Sequence, residues 1–141
     1  MCNIRMKNKV NDILKAWKDK YGEGKSNAYS YERITEIATN CVSLSIVWLE
    51  QVKNVRNYSL EIVLFNKDGV RSETLHGITN SNLPDTMVDI LVNKNHKFSK
   101  FEVNYYSYIN GSKITNKIGE LEISYIKLKI VNTFLYFDYF L

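Results

Sequence analysis

The stretch Phe101–Ile130, FEVNYYSYINGSKITNKIGELEISYIKLKI, decides the fold. Asn110-Gly111 at its centre is a strong hairpin signal, because a type I′ turn needs positive φ at both central residues and Asn followed by Gly tolerates that best. A two-residue loop fixes the register: Ile109 faces Ser112, Tyr108 faces Lys113, Ser107 faces Ile114, Tyr106 faces Thr115, Asn104 faces Lys117 and Val103 faces Ile118. Gly119-Glu120 reads as a second reversal of type II′, placing Lys117 opposite Glu122 and Ile114 opposite Tyr125. The reading is therefore a three-stranded meander. Phe101, Val103, Ile114, Ile118, Leu121, Ile123 and Tyr125 share an inner face; Glu102, Asn104, Tyr106, Tyr108, Lys113, Thr115, Lys117, Glu122 and Ser124 share the outer one. A slip of one residue would exchange the two faces, so the alternation itself supports the register. Beyond Tyr125 the pattern changes phase, with Ile126, Leu128 and Ile130 separated by lysines, as a β-bulge would produce.

Working outward, 141 residues suit one domain, residues 1–141, with one hydrophobic core. Hydrophobic content of 45% and charged content of 24% are those of a soluble globular protein. Met6, Val10, Ile13, Leu14, Trp17 and Tyr21 fall at helical spacing and predict a first helix over about residues 4–21, anchored by Trp17 and stopped by Gly22 and Gly24. Ile34, Ile37, Ala38 and Cys41 predict a short helix within 31–40. Val42–Glu50, VSLSIVWLE, alternates at first and reads as a strand that becomes fully buried. Tyr58–Phe65 and Val70–Ile78 form a second hairpin about Asn66-Lys67-Asp68-Gly69, polar enough to lie at a sheet edge. Asn80–Asn95 breaks the β pattern. Asn82 as N-cap, Pro84 in the first turn and the stripe Met87, Ile90, Leu91 predict a helix across the sheet's apolar face. The tail from Thr133, FLYFDYFL, reads as a last strand or an aromatic docking patch. The expected fold is α+β, a mostly antiparallel sheet of about five to seven strands packed against an N-terminal helix and a second short helix.

Charge narrows the partners. The net +4 resides wholly in Met1–Lys25, where Arg5, Lys7, Lys9, Lys15, Lys18, Lys20 and Lys25 outnumber Asp12, Asp19 and Glu23; the remainder balances at twelve against twelve. A basic helix is a solvated face, or one suited to an acidic partner, nucleic acid or anionic lipid. Cys2 and Cys41 have no metal or redox spacing, and free thiols fit a reducing cytosol. No stretch reaches the roughly 20 apolar residues of a membrane span, and the polar N-terminus is no signal peptide. These features place the chain in the cytoplasm and away from membranes.

Catalytic and cofactor motifs are missing: there is no G-x-S-x-G, Walker A or G-x-G-x-x-G, so no cofactor is expected. His76 and His96 lack partners at metal-ligand spacing, so no metal is expected either. A third expectation, ranked last, is an enzyme with an unrecognised site, for which a Cys41–His76 nucleophile pair or a Glu61–Glu73 acid–base pair on adjacent strands are the arrangements on offer. The strongest functional candidate is instead the outer face of the meander: Asn104, Tyr106, Tyr108, Lys113 and Lys117. Tyrosines serve protein interfaces well, and aromatics interleaved with lysines also suit base stacking over a phosphate backbone, although the RNA-recognition signature is absent. The expectation is a non-catalytic protein-binding domain that neutralises or masks a partner protein such as a toxin or host defence protein, in the manner of a bacterial immunity protein or phage inhibitor. The alternative is a nucleic-acid-binding module using the basic helix and the tyrosine–lysine face. A homodimer is compatible with an open sheet edge and an aromatic tail.

Overall fold

The computed structural model describes residues 2–21 and 31–123. The expectations for the Trp17 side chain, the glycine stop after residue 21, the phase change beyond Tyr125 and the aromatic tail lie outside the described residues. The elements run α1 (Cys2–Tyr21), α2 (Tyr31–Glu50), β1 (Ser59–Asn66), β2 (Arg71–Ile78), α3 (Leu83–Asn93), β3 (Phe98–Ile109) and β4 (Ser112–Glu122). The class is α+β, as the sequence implies. Among the described residues, however, the sheet has four strands rather than five to seven, all antiparallel to their neighbours in the order β2-β1-β3-β4. Two hairpins therefore lie side by side, joined through α3, and β2 forms one edge as its polarity suggests.

The largest departure is α2. Val42–Glu50 is helix, not strand. Over nine residues the alternation VSLSIVWLE fits either structure; over twenty it does not. Ile37, Ala38, Cys41, Val42, Leu44 and Trp48 are all buried, a spacing of three and four that only a helix turns to one side. Burying each large apolar side chain contributes about 1.5–3 kcal/mol, so gathering the whole set outweighs the β preference of Val and Ile. Ser45, one of the two serines read as the polar side of a strand, is satisfied by the helix itself: its Oγ donates to the Cys41 carbonyl at 2.8 Å.

The core lies between the sheet and the helices. Val10, Ile13 and Leu14 of α1 join Ile37 and Leu44 of α2, Met87, Ile90 and Leu91 of α3, and the sheet's Leu60, Ile62, Leu64, Phe101, Val103, Ile118 and Leu121. Pro84 occupies the first turn of α3 and Asn82 the N-cap position, both as expected, but the Asn82 side chain makes no capping hydrogen bond. Its Oδ1 instead accepts from the Thr79 amide at 2.8 Å, so the side chain closes the preceding loop. The β1–β2 turn is as read: Gly69 has φ +79° and its amide donates to the Asn66 carbonyl at 2.9 Å.

The β3–β4 hairpin keeps its expected register from Ile109–Ser112 to Asn104–Lys117. There it slips: Val103 faces Gly119 rather than Ile118, so Ile118 is the extra residue of a β-bulge. The second reversal does not exist, because β4 continues through Gly119-Glu120 to Glu122. Gly119 has another purpose. A side chain there would overlap the indole of Trp48, which packs down from α2 onto the strand. Ile114, assigned to the core, is exposed, as is Ile109. Both lie at the turn end of the hairpin, and among the described residues no core side chain covers that end of the inner face.

Candidate functional site

The outer face of the sheet is assembled by register. Glu61 of β1 stands opposite Asn104 of β3, which stands opposite Lys117 of β4; Tyr106 lies between Ser59 and Thr115, and Tyr108 faces Lys113. Four of the five sequence-derived residues come together around one that the sequence reading assigned elsewhere. Glu61 is 3% exposed and accepts from Asn104 Nδ2 at 3.0 Å and from Lys113 Nζ at 3.0 Å. The Lys113 ammonium also sits 4.3 Å from the Tyr106 ring centroid, and Tyr106 meets Tyr108 edge to face at 6.0 Å. Asn104 is 3% exposed as well, and its Oδ1 has no hydrogen-bond partner among the described residues. Lys117 stands apart from this cluster. It pairs with Glu120 at 2.8 Å, not with Glu122 as expected, because without the second reversal Glu122 faces Lys100.

The electrostatics follow from these contacts. Burial pushes the Glu61 carboxyl up, but the hydrogen bonds from Asn104 and Lys113, with the charges of Lys113 and His76, outweigh it and hold the group below the usual glutamate range. Lys113 is correspondingly raised, chiefly by its hydrogen bond to Glu61. The hydrogen bond from Lys117 holds Glu120 low, with Lys100 at 3.6 Å assisting. Lys100 in turn lies 4.8 Å from the Phe65 ring centroid. Each lysine of this face is thus engaged by a carboxylate.

Neither the Cys41–His76 pair nor the Glu61–Glu73 pair is formed. Cys41 is fully buried in α2, where burial pushes its thiol far up, whereas His76 is exposed on the edge strand. Glu73 pairs with Leu64 and so shares the core-side face, whereas Glu61 lies on the opposite one; the two carboxylates cannot act on one atom. Among the described residues no group of three or more histidine, cysteine, aspartate or glutamate side chains is placed to hold a metal ion.

Glu61 was legible only in part. The alternation Leu60, Ile62, Leu64 assigns it to the polar face, but its partners are 43 and 52 residues away and depend on β1 lying beside β3. No helix among the described residues is long and apolar enough to cross a membrane. No family model, curated protein or solved structure matches the chain.

Proposed function

We propose that the chain is a non-catalytic protein-binding domain that masks a partner protein, and that the turn end of the β3–β4 hairpin is the contact surface. One observation carries this reading. Tyr108 on the outer face and Ile109 and Ile114 on the inner face are 66%, 56% and 45% exposed at the hairpin's end, while the lysines on Tyr108's face are already paired. Apolar and aromatic exposure on both faces of one hairpin tip, beside paired charge, is the chemistry of a protein interface. It does not favour nucleic acid. Lys113 and Lys117 are ion-paired with Glu61 and Glu120, which offsets their attraction for phosphate, and the Lys113 ammonium covers a face of Tyr106 that a base would need.

The edge of β4 supports the same reading. In a two-residue hairpin the residues flanking the turn form a hydrogen-bonded pair, so every second residue of β4 turns its N–H and C=O away from β3. These are Lys113, Thr115 and Lys117, and among the described residues no strand lies beside them. The open run ends at the bulge, where Gln51 Nε2 donates to the Ile118 carbonyl at 3.0 Å. Such an edge can add a strand from a partner. A toxin-neutralising immunity protein or a phage inhibitor of a host defence protein would require this and no catalytic group. The buried free thiol of Cys41 suits a cytoplasmic setting.

The test is quantitative capture from native lysate by the tagged chain and by a Tyr108→Ser/Ile109→Ser variant. A protein retained by the first and lost from the second, without dependence on nuclease treatment, is the expected result. Identical capture by both chains, or retention of nucleic acid at about 50 mM salt, would contradict the proposal.

A further inference from the structure

One strand in from the hairpin lies a cavity of about 440 Å³, lined by Tyr58, Ser59, Leu60, Gly77, Ile78, Thr79, Asn80 and Tyr106. It opens where β2 carries an extra residue against β1, between the pairs Leu60–Ile78 and Ile62–Leu75. Gly77 takes φ +76° in that bulge, and a side chain there would meet nothing within 4 Å. The size is within the range of small-ligand pockets, about 300–1,000 Å³.

Its walls are fixed in place. Tyr106 is held between the Lys113 ammonium and the Tyr108 ring. Tyr58 donates to Asn80 Oδ1 at 3.1 Å and stands edge-on to Tyr105 at 6.2 Å. The rim is tied by Asn82, whose Oδ1 accepts from the Thr79 amide at 2.8 Å and whose Nδ2 donates to the Gly77 carbonyl at 3.4 Å. Walls that need no reordering leave more of the contact energy for affinity.

The lining is uncharged among the described residues. The pocket is open to solvent and offers an ion no opposite charge, so its lining favours a neutral occupant. Tyr58 and Tyr106 are among its lining residues, and the Ser59 hydroxyl and the Asn80 Nδ2 have no intramolecular partner among the described residues to compete with a ligand. A ring with one polar handle matches that combination. We infer that this cavity is the anchor subsite of the interface and takes a neutral aromatic side chain, tyrosine or tryptophan, from the protein partner. The source of the ring rests on the hairpin reading; the chemistry of the cavity does not.

The experiment titrates the isotopically labelled full chain with N-acetyl-tyrosinamide, N-acetyl-tryptophanamide and N-acetyl-lysinamide, following backbone amide resonances. The capped aromatics produce saturable shifts at residues 58–60, 77–80 and 106, with a dissociation constant on the order of 1 mM, and the capped lysine binds at least about tenfold more weakly. Ser59→Trp, which fills the cavity from an exposed strand position, removes the response; Asn80→Ala, which deletes only a rim amide, weakens it severalfold. No shifts at about 20 mM probe, an equal response to capped lysine, or a response unchanged in both variants would overturn the inference. If Ser59→Trp retains a captured protein that Tyr108→Ser releases, the subsite fails and the hairpin reading stands.

Discussion

The indole of Trp48 fills the space above the α-carbon of Gly119, so a methyl group at 119 would overlap Cε2, Cδ2 and Cζ2 of the ring. This single contact joins the C-terminal half of α2 to β4 and explains both a glycine inside a strand and the failure of that glycine to turn the chain. Gly119→Ala should therefore destabilise the fold by about 1–3 kcal/mol, the cost of overpacking a closed core. Urea denaturation measures it. Gly119→Ala combined with Trp48→Leu should lose less than the sum of the single changes, since the pair shares one space. Strict additivity would show that the two residues do not meet.

Asn40 offers the opposite sign. It is fully buried in α2, and among the described residues neither its Nδ2 nor its Oδ1 has a hydrogen-bond partner. Leucine is close to it in shape and carries no polar atom to leave unsatisfied. Asn40→Leu should raise stability by about 1–3 kcal/mol, read as a higher denaturation midpoint at unchanged slope. A lower midpoint would mean that Asn40 has a polar partner in solution.

Glu61 makes stability depend on pH in one direction. Its folded pKa is depressed, so its contribution is fully present above the ordinary glutamate value of about 4.3 and is lost as the pH falls through the folded value. The difference in unfolding free energy between the native chain and Glu61→Gln should be constant near neutrality and shrink below about pH 4.3. A difference that grows on acidification would reverse the assignment and mark a carboxyl kept protonated in the fold.

How much could be read from sequence varies with distance along the chain. The β3–β4 register, from Ile109 to Asn104, follows from Asn110-Gly111 alone, because a tight turn dictates the pairing around it. Gly119 was misread as a turn because its reason, Trp48, lies 71 residues earlier and comes into contact only once α2 packs on the sheet. The strand assigned to Val42–Glu50 failed for a related reason: alternation over a short apolar run does not separate strand from buried helix, and the continuation back to Tyr31 decides it. At the candidate site, Asn104, Tyr106, Tyr108 and Lys113 were grouped by hairpin alternation. Glu61, the carboxylate that binds two of them, required knowing that β1 lies beside β3. α3 carries the chain from β2 to a β3 that lies beside β1, and no local motif records that order.

The measurement closest to the central claim is site-specific photocrosslinking in native lysate. A photoreactive residue at Ile109 reports the exposed hairpin end, and one at exposed His96, just before β3 begins, reports the far end of the same strand. A discrete covalent adduct with one protein from position 109, abolished by Tyr108→Ser and absent from position 96, is the predicted result. Adducts from position 96 alone, or the same adducts from both positions, would contradict the assignment of the hairpin as the binding surface.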